Sequence, residues 1–196
     1  MTAPNKNNNS SKGPHRRTVK VSRSDLPMVL SCGWHGGTTV SATSYLANLV
    51  GIRLFVTGGI GGVHRGAETT MDISADLAEL ARTPITVVCA GVKSILDIPK
   101  TLEVLETNGV CVAVFGGEEN KEGGGVAFPA FFTPDSGISV AYNLQSASAA
   151  ARLMASRDAL HLQSAILLAV PNQMEEGKVY HQKVEAALQV AQREMG

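Results

Sequence analysis

The stretch that most constrains this chain runs from residue 57 to residue 76, TGGIGGVHRGAETTMDISAD, and it places glycines and charged residues between apolar segments. Glycines at positions 58, 59, 61 and 62 let the backbone approach a bound group closely, with amide N–H groups free to point at an anion. His64 and Arg65 add side-chain donors beside them. The composition of the stretch therefore predicts a ligand-binding loop rather than a linker.

Three carboxylates follow this turn: Glu68, Asp72 and Asp76, which are spaced four residues apart. If the segment is helical, they line one face of the helix, where each like-charge step costs roughly 0.2–0.5 kcal/mol. A cation on that face would turn the repulsion into a binding site, and oxygen ligands suit Mg²⁺ or Mn²⁺ better than Zn²⁺. The alternative interpretation makes Asp72 a helix N-cap and Asp76 a solvated surface residue.

The order of apolar and helical segments predicts an α/β fold with a mostly parallel sheet, helices on both faces and a single domain. Apolar runs at 52–56, 85–91, 110–115 and 164–170 are the predicted strands of this sheet. The segment 38–51 predicts a helix of small and apolar residues that is buried on all sides against the sheet. Residues 1–17 predict a disordered polar tail before a domain that spans 18–196, and 116–125 predict a mobile loop.

Composition limits the function classes that remain. The formal net charge is zero, so no global field attracts nucleic acid or a membrane surface, and no apolar run is long enough to span a bilayer. Three cysteines, Cys32, Cys89 and Cys111, lack metal-ligand spacing and predict buried reduced thiols. We therefore expect a cytoplasmic protein, with organelle targeting by the basic N-terminal tail left open.

Lys93 lies where the predicted apolar strand 85–91 ends, which is an unusual place for an ammonium group. Burial of an unpaired charge is costly, and desolvation favours the neutral amine, which can form Schiff bases with carbonyl carbons. The alternative, on the residues alone, is a surface lysine at the start of a helix whose stem covers apolar surface. Both interpretations remain open at this point.

The segment TGGIGGVHRGAETTMDISADL, followed by VVCAGVKSILD, resembles the pseudouridine-5'-phosphate glycosidases. The similarity begins at KVSRSDLP, continues through GGTTVSAT, and fades after FPAFF and the last helix. The early part of that family's domain, which carries a glutamate proposed as proton donor, and its C-terminal part have no counterpart here. General acid catalysis typically contributes 10²–10⁴-fold, so we expect a weak enzyme at best, either a fragment of a working glycosidase or a reduced paralogue.

The resemblance implies reversible cleavage of the carbon–carbon glycosidic bond of pseudouridine 5'-phosphate, which yields uracil and ribose 5-phosphate. Lys93 matches the Schiff-base lysine of that family, and Asp72 matches the residue that holds Mn²⁺ together with waters. The resemblance also implies a homotrimer. The alternative function is a non-catalytic metal or sugar-phosphate binding module that associates with a full-length relative.

The resemblance further implies a set of substrate contacts along the chain. Thr57 and His64 are expected to line the pocket because they lie in the glycine-rich motif. His64 has a competing interpretation as a structural histidine whose hydrogen bonds are satisfied within the fold. The substrate contacts implied by matching positions are Lys20, Val40, Ser74, Ala75 and Asp76.

Overall fold

A computed structural model describes residues 17–119 and 124–195 of the chain. Except for Arg17, the predicted N-terminal tail lies outside these residues, as does the middle of the predicted mobile loop. Within the described residues the strands are β1 (Thr18–Val21), β2 (His35–Thr38), β3 (Leu54–Val56), β4 (Thr86–Cys89), β5 (Cys111–Phe115), β6 (Val126–Ala127), β7 (Ser139–Val140), β8 (Asn143–Leu144) and β9 (Ile166–Ala169).

Helices connect most of these strands. A left-handed glycine ends α1, because Gly33 has a φ of 62°, and Ser146 begins α6 by accepting a hydrogen bond from the backbone N–H of Ala149. The helices are α1 (Leu26–Cys32), α2 (Val40–Leu49), α3 (Ala67–Thr70), α4 (Ala75–Leu80), α5 (Ile98–Thr107), α6 (Ala147–Ala159) and α7 (Gly177–Met195).

The central sheet has five strands in the order β3–β4–β9–β5–β8, and every neighbouring pair is parallel. Strands β1 and β2 form a separate parallel pair, while β6 and β7 are antiparallel. The prediction of an α/β fold with a mostly parallel sheet is thereby confirmed. Among the described residues, no helix is both long and apolar enough to cross a membrane.

The core lies along β4 and β9, two of the three inner strands of the central sheet. All four residues of β9 are buried. Ile85, just before β4, and Val87, within β4, have no exposed surface. A strand covered on both faces needs apolar side chains on both, which explains why these segments read as continuous apolar runs. Leu77 and Leu80 of α4 and Leu105 of α5 complete this cluster. The core therefore lies directly beneath the loops that follow the parallel strands.

Three predictions about burial are wrong. Helix α2 buries only one face and packs on α4, while Leu49 on its other side is exposed. Cys32 is exposed, in contrast to the buried Cys89, because α1 buries none of its residues. The apolar spacing at 180–194 predicts an amphipathic helix with Val184, Leu188, Val190 and Ala191 facing inward, but Val190 of α7 is exposed.

Candidate active site

Two loops meet at the carboxyl edge of the central sheet, after the neighbouring strands β3 and β4. The backbone N–H of Thr57 donates to the carbonyl of Val88 at 2.9 Å, and that of Ala90 donates to Gly58 at 2.8 Å. The same pairing continues beyond the strands as a parallel bridge between Ile60 and Val92. The glycine-rich loop and the segment that leads to Lys93 therefore lie side by side, where parallel α/β sheets bind ligands.

Lys93 is held through its backbone. Its N–H donates to the carbonyl oxygen of Ile60 at 3.1 Å, and its own carbonyl accepts from Leu96 at 3.0 Å. Of the two interpretations left open, the exposed side chain of Lys93 agrees with a surface lysine and not with a desolvated amine. The hydrogen bond to the glycine-rich loop thus fixes the backbone of Lys93 and leaves its side-chain amine accessible.

A third segment packs on these two loops: AFPAFFTPDSG at 127–137, whose sequence predicts an edge strand or an irregular segment on the substrate side. Phe131 donates its backbone N–H to Ala90 at 2.9 Å, and its ring lies against the glycine-rich loop. A Cβ atom placed on Gly59 would lie 2.5 Å from Cδ2 of Phe131, so only glycine fits at this position. Phe131 itself has a φ of 59°, an uncommon conformation for a bulky residue that no sequence pattern indicates.

The proposed ladder of carboxylates is not present, because the helix is interrupted. Helix α3 ends at Thr70, Met71 has a φ of 56°, and α4 begins only at Ala75. Glu68 instead pairs with Lys100 at 2.8 Å, a contact that lowers the pKa of Glu68 and raises that of Lys100. The three carboxylates therefore do not share one helical face.

Asp72 stands alone as a carboxylate on the loop between these helices, and its side chain is 64% exposed. Its Oδ2 lies 3.7 Å from Nδ1 of His64, and its carbonyl accepts the His64 N–H at 3.0 Å. Among the described residues, no group of at least three His, Cys, Asp or Glu side chains could hold a metal ion. A single carboxylate fits only a hard cation that keeps most of its waters, as Mg²⁺ usually does.

Asp76 has the opposite environment, since it is only 3% exposed and both carboxylate oxygens are hydrogen-bonded. Oδ1 accepts from the N–H of Ser41 and Oδ2 accepts from the N–H of Gly61, each at 2.8 Å. Ser74 caps α4 by accepting the N–H of Asp76 at 3.3 Å. The alternative interpretation of Asp76 as a solvated surface residue is therefore wrong.

The remaining predicted residues lie on three different elements. Val40 is the first residue of α2 and is buried, whereas Ala75 is exposed at the start of α4. Lys20 belongs to the separate β1–β2 pair and lines a shallow cavity of about 280 Å³ beside Trp34. The hydrogen bond from Ser41 to Asp76 joins α2, which carries Val40, to α4, which carries Ala75.

A larger cavity, of about 670 Å³, lies at the carboxyl ends of β5 and β9 and contains none of the predicted site residues. Asn172, in its wall, donates to the carbonyl of Phe131 at 3.1 Å. On another side, Arg65 forms a two-pronged ion pair with Glu185 of α7, with N–O distances of 2.6 and 3.2 Å. These contacts connect the loops beside Lys93 to later parts of the chain.

The parallel sheet and the paired loops at its carboxyl edge define an α/β domain in which these loops carry Lys93 and the isolated carboxylate of Asp72. The chain belongs to the family described as indigoidine synthase A-like protein, whose sequence profile matches residues 8–196. The family resemblance inferred from the sequence motifs is thereby confirmed.

Two curated relatives illustrate the similarity, and both are named pseudouridine-5'-phosphate glycosidase. The protein from Methylobacterium nodulans is 52% identical over 159 residues, which cover 81% of this chain and 45% of the relative. The protein from Caldanaerobacter subterraneus subsp. tengcongensis is 49% identical over 184 residues, which cover 92% and 57%. The chain thus spans about half the length of the curated relatives it matches.

Two solved structures share the fold at 33% sequence identity. One is an indigoidine synthase A-like protein from Thermotoga maritima, with a TM-score of 0.76 over 87% of this chain and 54% of that protein. The other is the prealnumycin C-glycosynthase AlnA in complex with ribulose 5-phosphate, with a TM-score of 0.77 over 92% and 58%.

Proposed function

We propose that this chain carries the lysine and loop machinery of a pseudouridine-5'-phosphate glycosidase, which cleaves a carbon–carbon glycosidic bond to give uracil and ribose 5-phosphate. The observation that carries the proposal is the hydrogen bond from the N–H of Lys93 to Ile60, because it fixes the lysine to the glycine-rich loop. The names of the curated relatives support the same reaction, and AlnA is a C-glycosynthase crystallised with a sugar phosphate.

A carbon leaving group explains the need for an amine. Ordinary glycosidases protonate an oxygen leaving group between two carboxylates, a route that does not serve a carbon–carbon bond. In the proposed reaction, the Nζ lone pair of Lys93 attacks the anomeric carbon. The carbon–oxygen bond of the sugar ring breaks, the ring oxygen takes up a proton, and the nitrogen releases one. The nitrogen lone pair can then act as an electron source.

The second half of the reaction uses that lone pair to break the carbon–carbon bond. The lone pair forms a carbon–nitrogen double bond, the bonding electrons move to the uracil ring, and the ring carbon takes up a proton. Water then adds to the anomeric carbon, the lysine amine leaves, and open-chain ribose 5-phosphate is released. The sequence runs in reverse for synthesis. An amine that is exposed and anchored by its backbone, as Lys93 is, can reach a bound sugar in this way.

The substrate would lie along the carboxyl edge, in contact with the glycine-rich loop and the start of α4. Asp72, beside His64, would hold one divalent cation together with waters, and the resemblance suggests Mn²⁺. When bound, such an ion supplies a fixed positive charge beside an anionic sugar phosphate. The residues proposed to contact the substrate directly are Lys20, Val40, Thr57, His64, Ser74 and Ala75.

The reverse reaction gives a direct test. Uracil and ribose 5-phosphate are incubated with the chain and Mn²⁺, and pseudouridine 5'-phosphate is measured by liquid chromatography. We expect product with the wild type and with Lys100→Arg, a matched change at an exposed lysine already paired with Glu68 and Asp97. Lys93→Arg should give none, since arginine keeps the charge but cannot act as a neutral amine. Product formation by Lys93→Arg would contradict the proposal.

A further inference from the structure

One peptide group links Asp76 to Lys93. The N–H of Gly61 donates to Oδ2 of Asp76 at 2.8 Å, and the C=O of the same peptide group, on Ile60, accepts the N–H of Lys93 at 3.1 Å. We propose that Asp76 is a positioning residue that sets the place of Lys93 through this peptide and does not itself touch the substrate. The inference rests on the proposed role of Lys93.

The carboxylate of Asp76 is enclosed by the protein. The residue is 3% exposed, and its other oxygen accepts the N–H of Ser41 at 2.8 Å. A Cβ atom on Gly61 would overlap the side chain of Ser74 and lie 2.8 Å from Oδ2 of Asp76, so these two side chains together explain why this loop position is glycine. Each oxygen thus accepts a backbone N–H group inside the fold. Asp76 therefore acts on the loop, not on the ligand.

The chemical character of the link explains why a carboxylate is needed. Hydrogen bonds to an ionised acceptor are roughly twice as strong as neutral ones, and a polarised peptide N–H makes its own carbonyl a better acceptor. Asp76 therefore strengthens the bond between Ile60 and Lys93 as well as its own. A displacement of about 1 Å in a reacting group can cost roughly 100-fold in rate. Loss of the charge should accordingly slow the reaction of Lys93.

Helix α4 also contains a matched control. Glu79 is a second carboxylate with no exposed surface, and it accepts hydrogen bonds from Arg23, Arg82 and Thr83. Its partners lie outside the glycine-rich loop. Glu79→Gln removes a buried negative charge from the same helix without changing the peptide between Ile60 and Gly61. The pair Asp76→Asn and Glu79→Gln thus separates positioning of Lys93 from general stability.

The kinetic test measures the adduct between ribose 5-phosphate and Lys93, trapped with borohydride and quantified by peptide mass spectrometry per folded molecule. For Asp76→Asn we expect a maximal rate of adduct formation lower by at least about tenfold, with the half-saturating sugar phosphate concentration changed by less than about threefold. Glu79→Gln should match the wild type in both values. Wild-type kinetics in folded Asp76→Asn would overturn the inference.

A second measurement needs no folded variant. Amide hydrogen exchange of the wild-type protein, read by NMR, should show the Gly61 N–H protected to the same degree as the amides of β4. Free exchange of that amide, as in an open loop, would overturn the inference. If the wild type forms no adduct at all, the proposed function fails. Amide exchange then still decides whether the link between Asp76 and the loop exists.

Discussion

The N–H of Lys93 lies 3.1 Å from the carbonyl oxygen of Ile60, and this bond continues the pairing of two parallel strands beyond their ends. Each strand supplies one partner: the loop after β3 carries the glycines, and the segment after β4 carries the lysine. Because the register of parallel strands is fixed by the buried core, the register of the two loops is fixed as well. The backbone of Lys93 is therefore fixed in place, and its reactive side chain extends from it.

The isolated carboxylate of Asp72 carries the metal prediction. We expect Asp72→Ala to weaken Mn²⁺ binding by at least about tenfold, because a hard cation would lose its only proposed charged ligand. Glu68→Ala serves as the control, since Glu68 is an equally exposed carboxylate that already pairs with Lys100. Calorimetric titration of the three proteins measures the affinities. Equal affinity in wild type and Asp72→Ala would remove Asp72 from the metal site.

The contact between Gly59 and the Phe131 ring predicts a difference between two neighbouring glycines. Gly59→Ala should lower the free energy of unfolding by about 1–3 kcal/mol, because the new methyl group overlaps the ring. Gly58→Ala places its methyl group 3.5 Å from the same ring, an ordinary contact, and should change stability by less than about 0.5 kcal/mol. Urea unfolding followed by circular dichroism measures both. Equal stability of the two variants would contradict this packing.

Exposed apolar side chains at the end of α2 and along the edge strand β3 predict self-association. Surfaces of this kind beyond several hundred Å² usually meet a partner, and the resemblance suggests a trimer. Multi-angle light scattering should therefore show an oligomer, and Leu49→Glu should weaken it. A stable monomer at all concentrations would count against the prediction. The side chains concerned are Leu46, Leu49, Val50, Ile52, Leu54 and Val56.

Cys32 and Cys89 should differ in reactivity. Burial raises the pKa of Cys89 to about 12, so at pH 8 only on the order of one molecule in ten thousand carries the thiolate. Cys32 is exposed and should react with iodoacetamide at that pH, whereas Cys89 should react only after unfolding. Mass spectrometry of the labelled peptides in native and denatured protein checks this. Rapid native labelling of Cys89 would show that β4 is not closed as described.

The order of elements could be predicted because each inner strand is apolar on both faces. The runs that became β4, β5 and β9 are recognisable for that reason. Their spatial order could not be predicted, since β9 pairs between β4 and β5 through contacts far apart in sequence. The two-residue strand β8 was missed because so short a segment carries no periodicity.

The site was predicted only in part, and the failures have physical causes. The carboxylate ladder depended on one continuous helix, which the left-handed backbone at Met71 interrupts. The proposed role of Asp76 was missed because its partners are the backbone N–H groups of Ser41 and Gly61, and every residue except proline has such a group. The glycine at position 61 was the available clue, since it marks a close approach by another group. Phe131 had no comparable signal.

Trapping of a covalent adduct on Lys93 tests the central claim most directly. Wild-type chain, ribose 5-phosphate and Mn²⁺ are treated with borohydride, and peptide mapping locates the added mass, with Lys93→Arg and Lys100→Arg as controls. We predict a reduced sugar phosphate adduct on Lys93 in the wild type and in Lys100→Arg, and none in Lys93→Arg. A folded, Mn²⁺-loaded wild-type sample without an adduct on Lys93 would contradict the account.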